Sequence, residues 1–352
     1  MSKNFSEKKH LLDMKNKKKL VIISNERTFV KDNQFYCDNV DIKSIPEGLK
    51  KSFDVLLLAR ASTIKRSYKI NLENLSLSNN IFGYLNNIFK TFNHKDSNYL
   101  LISITPYTFL AFILLSFFKK KKYFYLRSSG HEEYKAILGF LGPIIFNIMY
   151  FFINYKSNII TCQDRLTTKE EYDLVSPSEL DESWINNRKN ANLTKPKLLY
   201  SGRIRVEKGI YSLFKIFDQL KKDIQLSVVG NTENSKVKKD KVNFLGFKNN
   251  TNELIDIYDD HNITVLPSYT EAHPKVVDES LARLRPVIIF EEIVHVIQSR
   301  RGVFVAKRNA KSLMEIIKFI MNNYQNIQNE MKKNNLPTKK EFISKMTKIL
   351  NK

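Results

Sequence analysis

Four charged side chains in the second half of the chain have the types and spacing to hold a phosphorylated ligand. Arg203 and Lys208 lie in the run GRIRVEKG, and Glu271 and Glu279 lie in the run TEAHPKVVDE. The two cations can neutralise a diphosphate, because backbone N–H groups at a helix start favour an anion and Arg or Lys binds phosphate directly. The two carboxylates can accept hydrogen bonds from sugar and ribose hydroxyls. We therefore predict a site for one elongated ligand.

The elements around these residues predict how they are positioned. Gly202 closes an apolar strand over 198–200, and Gly209 opens an amphipathic helix. Glu279 falls inside a second predicted helix, and Glu271 lies in the loop before it. A lone E-x7-E pair is more often a solvated helix face, and a lone Arg or Lys is more often surface charge. Their shared position on the carboxyl side of predicted strands favours a site, since open α/β sheets bind ligands there.

Several motifs occur in one order along this half of the chain: GR-x4-KG, VVG at 228–230, VNFLGF at 242–247, E-x-H-P and E-x7-E. Residues from about 198 to about 326 resemble the nucleotide-sugar half of the family-4 retaining glycosyltransferases, also called glycosyl transferases group 1. That resemblance implies an α/β fold of the GT-B class, with two Rossmann-like domains whose parallel sheets face across a cleft. The run SLARLRPV at 280–287, in which the family usually has a small residue or glycine before Pro286, departs from the pattern.

The resemblance also implies roles for residues. Arg203 and Lys208 would bind the donor diphosphate, Glu271 would hold hydroxyls of the transferred sugar, and Glu279 would hold the ribose. The same resemblance places further residues around the donor: Gly202, Gly209, Phe247, His273, Pro274 and Lys275. We interpret His273 as positional, and we predict that Asp259 and Asp260 form a solvated helix end.

Candidates in the first half of the chain are less specific. His131 follows the run YLRSSG at the end of a predicted strand, and the resemblance places a histidine near there against the donor sugar. The alternative is that His131 only begins a helix capped by Ser128 and Ser129, and the sequence favours neither reading. Arg127 shares this location. After the first strand, the family often has glycines where this chain has SNERT, so a loop over 24–28 could bring Asn25 or Arg27 to the acceptor or a phosphate.

The charge and the lysine content of the chain indicate which partners it can bind. The 352-residue chain has a formal net charge of +22 and a pI near 9.7, and lysines cluster in residues 1–19, 119–122 and 332–352. Nucleic acid, an anionic membrane and a general lysine-rich bias are three explanations, but no basic stripe with interleaved aromatics and no nucleic-acid-binding module is present. Lysine clusters near apolar surface suit an anionic membrane. We predict as partners a nucleoside diphosphate sugar, a glycan or lipid-linked acceptor and an anionic membrane, but not nucleic acid.

The cysteine spacing and the apolar runs of the sequence predict the cellular compartment and the relation to a membrane. Two cysteines without a C-x-x-C spacing predict a reducing compartment, and no apolar signal region occurs in the first 20 residues. The apolar run 109–118 is too short to span a bilayer, and glycines and a proline interrupt the run 137–153. We therefore predict a cytoplasmic protein that is peripheral on the inner face of the cell membrane.

Apolar strands alternate with helical periodicity throughout the chain, which predicts two parallel-sheet domains. The expected boundaries are an acceptor domain over 1–185, a linker over 186–197 and a nucleotide-sugar domain over 198–330. By the resemblance, a last helix over 338–352 crosses back to the first domain. Predicted helices in the first half cover about 70–92, 106–118 and 133–154.

The residues that the chain lacks also bear on chemistry. No two aspartates stand at positions i and i+2, and the six histidines have no metal-ligand spacing. We therefore expect no metal and no other cofactor, so that Arg203 and Lys208 stabilise the leaving diphosphate. The predicted function is a retaining, metal-independent glycosyltransferase that acts on a cell-surface or lipid-linked glycan. The alternative is a catalytically idle GT-B scaffold that binds a membrane or partners.

Overall fold

The computed structural model describes residues 17–94, 96–220, 223–230 and 242–352. The chain separates into two compact units, of which the first contains the residues up to Val175 together with Glu341–Lys352. The second unit is Ser176–Lys340. The segment 186–197, predicted as a linker, lies within this second unit. Just before it, Trp184 is buried and its ring meets the ring of Tyr258 edge-on, with centroids 5.6 Å apart.

The strands, in chain order, are β1 (Lys19–Lys31), β2 (Gln34–Cys37), β3 (Asp54–Ser62), β4 (Tyr68–Ile70), β5 (Leu75–Ser78), β6 (Asn98–Ile102), β7 (Lys122–Leu126), β8 (Asn158–Thr161), β9 (Asp173–Leu174), β10 (Lys197–Ser201), β11 (Gln225–Val229), β12 (Val242–Gly246), β13 (Ile263–Leu266), β14 (Val287–Phe290) and β15 (Val303–Ala306). The α-helices are α1 (Val40–Leu49), α2 (Ile81–Lys90), α3 (Pro106–Phe117), α4 (Gly130–Leu138), α5 (Leu141–Lys156), α6 (Glu182–Ile185), α7 (Ile210–Phe217), α8 (Thr251–Asp260), α9 (Lys275–Ala282), α10 (Ala310–Asn322), α11 (Tyr324–Met331) and α12 (Lys339–Asn351).

The first unit is built on a nine-stranded sheet. Strand β1 pairs in parallel with β3 and β6, and β7, β8 and β9 continue the parallel pairing on the β6 side. The start of β1, LVII, is fully buried, as is typical of a parallel strand covered on both faces. Residues 341–352 belong to this unit, where the Asn98 side chain donates a hydrogen bond to Leu350 O.

Strand β1 is longer than the sequence predicts. The predicted loop over 24–28 is wrong, because β1 continues through it to Lys31. The register against β3 shifts between Ile23 and Arg27, which marks a bulge. Asp32 and Asn33, both with positive φ, then turn the chain into the antiparallel strand β2. The apolar pattern stops at Ser24, so no hydrophobic periodicity indicated the extension.

The predicted helix over 70–92 is wrong in its first half. Residues 68–70 and 75–78 are strands, and helix α2 begins only at Ile81. Leucine and serine alternate in LSLS at 75–78, which is the period of a strand. Asn80 caps α2 by accepting a hydrogen bond from the Gly83 N–H at 2.8 Å.

The predicted helix over 133–154 is two helices, α4 and α5. Gly139 separates them with a φ of 61°, a conformation that a residue with a side chain rarely adopts. Helix α5 has 16 residues. Across the described ranges, no helix is both long and apolar enough to cross a membrane.

The second unit contains a six-stranded parallel sheet in the order β12, β11, β10, β13, β14, β15. Its strands are short apolar runs, and one large buried cluster extends from Leu198 through helices α7 and α10 to Met331. Strands β10, β11, β13 and β14 all neighbour a strand on both sides, which explains why they are nearly fully buried.

The run that departs from the family pattern contains two buried arginines. Arg283 and Arg285, with side chains 1% exposed, contact the Asp259 carboxylate at 2.6 Å and 3.6 Å. Arg283 also donates to the carbonyl oxygen of Trp184, and Leu284 between the arginines has a φ of 56°, where glycine would be less strained. The prediction of a solvated helix end is therefore wrong for Asp259, although Asp260 is exposed.

Candidate functional site

The second sheet has a switch point between β10 and β13. These strands lie side by side, but the chain continues from β10 towards β11 and from β13 towards β14. Loops that diverge in this way leave a crevice at the carboxyl ends of the strands, where open α/β sheets bind ligands. Residues 202–209 follow β10 and residues 267–274 follow β13. The switch point therefore brings together the two segments that the sequence singled out.

Glycines allow the backbone to pack closely in this crevice. A Cβ atom on Gly209 would stand 1.8 Å from Pro267 O, and one on Gly230 would stand 1.9 Å from Gly202 O. Gly209 also has a φ of 66° where it begins α7. Because no side chain fits at Gly209 or Gly230 without a backbone shift, these glycines fix the distances between the loops after β10, β11 and β13.

Lys208 and Glu271 form an ion pair across the crevice. Lys208 Nζ lies 2.6 Å from Glu271 Oε1, and the two side chains are 22% and 11% exposed. Ser268 donates a hydrogen bond to the same carboxylate oxygen at 2.7 Å. A ring nitrogen of His295 lies 2.7 Å from Glu271 O. The fold thus brings this cation and this carboxylate, which are 63 positions apart in sequence, into direct contact.

Arg203 is exposed on the loop directly after β10. Its backbone oxygen accepts a hydrogen bond from the Tyr200 hydroxyl at 2.6 Å, which fixes the loop while the guanidinium stays outside the core. Within the described ranges, no carboxylate forms an ion pair with Arg203. The guanidinium is therefore open to an anionic ligand.

Glu279 lies on helix α9, and its carboxylate accepts a hydrogen bond from the Tyr258 hydroxyl at 3.0 Å. Burial raises the pKa of Glu279 to about 7, although the hydrogen bond from Tyr258 and the charge of Lys275 oppose the rise. Burial and the Glu279 charge hold the pKa of the Tyr258 hydroxyl well above its ordinary value, so this hydroxyl remains a donor. Glu279 therefore changes its charge near neutral pH.

His273 is part of a buried network. Its side chain is 4% exposed, and Nε2 lies 3.0 Å from Asp278 Oδ2. Arg300 Nε lies 2.6 Å from the other Asp278 oxygen. Burial alone would raise the pKa of Asp278, but the hydrogen bonds from His273 and Arg300 and the Arg300 charge outweigh burial and lower this pKa. The imidazole thus fixes the start of helix α9, in keeping with a positional role.

Pro274 and Lys275 begin helix α9. Pro274 is the residue before its first turn and Lys275 is its first residue. Lys275 Nζ lies 2.9 Å from Glu179 Oε1, and Glu179 also pairs with Lys339 at 2.9 Å. The side chain of Lys275 is therefore engaged within the second unit, and its backbone lies at the positive end of the helix dipole.

Phe247 follows β12, at the carboxyl edge of the same sheet. It is partly buried, whereas Phe244 packs edge-on against Phe214 with ring centroids 6.0 Å apart. Phe244 is thus a packing residue, and contact of Phe247 with a base stays a prediction.

His131 belongs to the first unit. It is exposed on the first turn of helix α4, where the Ser129 side chain makes no capping hydrogen bond. Arg127, just before, is engaged within its unit: it contacts Asp41 at 2.8 Å and donates to Ser103 Oγ at 3.1 Å. A role for His131 towards the donor stays a prediction, and Arg127 has a structural role.

Sequence reasoning missed several residues that support the site: Ser268 and His295 beside Glu271, Tyr258 beside Glu279, Asp278 and Arg300 beside His273, and Glu179 beside Lys275. Only Ser268, three positions before Glu271, offered a local signal, because a serine there can reach the carboxylate. No group of three His, Cys, Asp or Glu side chains is placed to hold a metal ion in the described part of the chain.

Comparison with known proteins agrees with this arrangement. The family model for glycosyl transferases group 1 matches residues 182–336. By sequence, no curated protein matches the chain at a significant level.

Solved structures share the fold along nearly the whole chain. HepE from Anabaena, in complex with UDP and glucose, superposes with a TM-score of 0.68 at 13% identity, covering 96% of this chain and 100% of that chain. Sucrose-phosphate synthase from Thermosynechococcus elongatus gives a TM-score of 0.67 at 14% identity, covering 95% and 98%. The lipopolysaccharide outer core galactosyltransferase WaaB gives 0.62 at 11% identity, covering 95% and 99%. The α/β fold with two parallel-sheet domains, predicted from the resemblance, is thereby confirmed. The chain thus has the GT-B fold, and its residues 182–336 match the glycosyl transferases group 1 family.

Proposed function

We propose that the protein is a retaining, metal-independent glycosyltransferase that moves a sugar from a nucleoside diphosphate donor to a glycan or lipid-linked glycan precursor. The ion pair of Lys208 with Glu271 at the switch point, beside the exposed Arg203, is the observation that carries this proposal. In this proposal Lys208 binds the diphosphate, and the neighbouring Glu271 carboxylate accepts hydrogen bonds from the sugar hydroxyls. HepE, which shares the fold, has been solved with UDP-glucose, so UDP-sugars come first in a donor screen.

The reaction follows from the charges at the crevice. As the bond between the anomeric carbon and the diphosphate breaks, negative charge grows on the leaving oxygen, and Arg203 and Lys208 stabilise it. As the resemblance to the retaining glycosyltransferases implies, the acceptor oxygen forms its bond to the anomeric carbon from the same face, and its proton passes to the leaving phosphate. Glu271 orients the sugar hydroxyls, and Glu279 binds the ribose. Phe247 and the backbone at 273–275 complete the donor pocket.

Donor turnover is the direct test of this function. We expect release of nucleoside diphosphate from at least one sugar nucleotide, and the rate should be unchanged in excess EDTA because two fixed cations replace a metal. A loss that added Mg²⁺ or Mn²⁺ restored would disprove metal independence. Donor binding without turnover, with a range of acceptors, would instead support an idle scaffold.

The pKa of Glu279 predicts pH-dependent donor affinity. A ribose hydroxyl donates best to the ionised carboxylate, which becomes the main form as the pH rises through about 7. We expect calorimetric affinity for a sugar nucleotide to rise by up to about tenfold from pH 6 to pH 8. A sugar nucleotide suits this titration because it lacks the terminal phosphate group that titrates near pH 6.

Glu279→Gln is the matched control, since it keeps the shape and removes the titration. Its donor affinity should be weaker than that of the parent at pH 8 and nearly constant with pH. An equal pH dependence in the parent and in Glu279→Gln would show that the carboxylate does not bind the ribose.

We further propose that the enzyme works at the cytoplasmic face of the membrane, bound through its first unit. Helices α3, α4 and α5, with the turn between α4 and α5, present five large apolar or aromatic side chains that are 68% to 81% exposed: Phe117, Ile137, Phe140, Phe151 and Tyr155. Helices α3 and α5 are neighbours, since the Phe109 and Phe152 rings lie 6.5 Å apart. Amphipathic surfaces of this kind lie in the headgroup region of a bilayer.

The lysines at 119–122 contribute less to this surface than the sequence predicts. Lys119 and Lys121 are exposed, but Lys122 is buried on β7 with its Nζ 5.5 Å from the centroid of the Phe112 ring. Burial lowers the pKa of Lys122, and the nearby charge of Lys156 adds to this effect. The lysines among residues 1–16 lie outside the described residues. Exposed cations beside the apolar side chains still favour anionic lipid.

Vesicle sedimentation tests this membrane surface. We expect the protein to pellet with phosphatidylglycerol vesicles, to remain largely free of phosphatidylcholine vesicles and to be released by alkaline carbonate. Phe140→Ser with Phe151→Ser should abolish pelleting, whereas Phe319→Ser, at a half-exposed phenylalanine of the second unit, should not. Equal pelleting of both variants would disprove this surface.

A further inference from the structure

The first unit contains a pocket lined by two arginines, neither of which is among the residues assigned to the donor. A pocket of about 490 Å³ lies between the carboxyl-end halves of β1 and β3 and the residues that follow β5. Arg27, Arg60, Ser62, Thr63 and Asn79 are among its lining residues. This volume is in the range that holds one small ligand or one sugar unit.

The two arginines stand directly beside each other. In the parallel pairing of β1 with β3, Arg27 is the register partner of Arg60. Side chains in register on neighbouring strands share a face, and like charges at such positions repel each other. The fold therefore places two cations together at a cost in stability, which a bound anion would offset.

Neither arginine has a carboxylate partner in the part of the chain that the structure describes. Two other arginines of the same unit do have one: Arg66 pairs with Asp38 at 2.6 Å and Arg127 pairs with Asp41 at 2.8 Å. Arg60 instead donates to the amide oxygen of Asn25 at 3.1 Å. Unlike Arg66 and Arg127, Arg27 and Arg60 line the pocket without a carboxylate among the described residues to compensate their charge.

Arg60 is also held ready for a ligand. Its guanidinium carbon lies 4.1 Å from the centroid of the Tyr107 ring, at the start of helix α3. The contact with the ring restricts the guanidinium, and among the residues that the structure describes its N–H groups donate one hydrogen bond, to Asn25. The N–H groups of a planar guanidinium can donate two parallel hydrogen bonds to two oxygens of a phosphate or a carboxylate.

We propose that this pocket binds an anionic group of the acceptor, a phosphate or a carboxylate, so that the enzyme acts on charged glycans or phosphorylated glycan precursors. The pocket lies where parallel strands end, which is where such sheets bind ligands. Binding of the acceptor in this pocket rests on the proposed function, whereas anion binding by Arg27 and Arg60 does not.

The test is a titration of the full-length protein at low salt, monitored by saturation-transfer NMR. The three probes are glucose 6-phosphate, glucuronate and glucose. We expect at least tenfold tighter binding of an anionic probe than of glucose, and weaker binding as NaCl is added. If glucose 6-phosphate binds more tightly than glucuronate, the pocket prefers a phosphate, and the opposite order indicates that it prefers a carboxylate. Glucose that binds as tightly as both anions would overturn the proposal.

Variants separate this pocket from the donor site. Arg27→Gln and Arg60→Gln should each weaken binding of the anionic probe at least tenfold. Lys69→Gln, which removes an exposed lysine of the same sheet outside the pocket, should leave binding unchanged. Arg60→Lys keeps the charge but loses the planar stack, so its affinity should be intermediate. The melting temperature of Arg27→Gln should not fall, since a like-charge contact is removed.

Arg203→Ala tests whether the anionic probe binds at the donor site instead of the pocket. It should keep the affinity for glucose 6-phosphate and lose affinity for sugar nucleotide, and Arg60→Gln should do the reverse. If glucose 6-phosphate binding were lost in Arg203→Ala but kept in Arg60→Gln, the anion would bind at the donor site and the pocket proposal would fail. If no sugar nucleotide bound while Arg60 still governed anion binding, the proposed function would fail and the anion site would stand.

Discussion

Replacing Lys208 by Ala should lower the rate of sugar transfer by about 100- to 1000-fold, which corresponds to about 2.7 to 4 kcal/mol of lost transition-state stabilisation. The Lys208 ammonium stabilises charge that grows on the diphosphate as the sugar leaves. Its ion pair with Glu271 is partly exposed, and such pairs contribute only about 0 to 1 kcal/mol to folding. We therefore expect a large loss of turnover with a small change in the free energy of unfolding.

Arg203→Ala should have a similar effect, because the guanidinium is exposed beside the same crevice. Lys215→Ala is the matched control, since it removes an exposed lysine on the outer side of helix α7. Transfer assays at saturating acceptor compare the three variants. If Lys208→Ala and Arg203→Ala both kept transfer within about threefold of the parent, the electrostatic mechanism would be wrong.

Asp259→Asn should destabilise the second unit by roughly 3–5 kcal/mol, the cost of breaking a buried ion pair. The carboxylate faces two buried guanidinium groups, Arg283 and Arg285, and an amide would leave both charges uncompensated. Trp184 is the only tryptophan of the chain, and its carbonyl oxygen accepts from Arg283. Its fluorescence during urea denaturation therefore reports the loss of this network.

Asp260→Asn is the matched control, because Asp260 is the exposed neighbour. It should shift the unfolding free energy by no more than about 0.5 kcal/mol. Equal urea midpoints for the two variants would show that the Asp259 contacts do not hold the unit together.

Much of the fold follows from local patterns in the sequence. Strands β10, β11 and β13 are short apolar runs, and each precedes a glycine or a polar loop, so both their positions and the carboxyl edge were predictable. Helix α3 extends over 106–117 against a prediction of 106–118. These elements are set by hydrophobic periodicity and by turn residues, which act over a few positions.

Other features depend on contacts between distant segments. The extension of β1 past Ser24 is polar, so only pairing with β2 and β3 stabilises it as a strand. Asp259 is buried because arginines 24 and 26 positions further along fold back onto it. The partner of Glu279, Tyr258, is 21 positions away on another helix. Contacts between residues so far apart leave no local pattern in the sequence. The charged candidate residues could therefore be predicted, but the residues that hydrogen-bond to them could not.

We propose that residues at the carboxyl edge of the second sheet bind a nucleoside diphosphate sugar through Arg203 and Lys208. Thermal unfolding of the full-length protein with UDP-, GDP-, ADP- and CMP-sugars tests it most directly, beside a variant that carries both Arg203→Ala and Lys208→Ala. One donor at about 100 times its dissociation constant should stabilise the parent by roughly 2.7 kcal/mol and leave the double variant unchanged. Stabilisation of neither protein by any donor, or equal stabilisation of both, would contradict the claim.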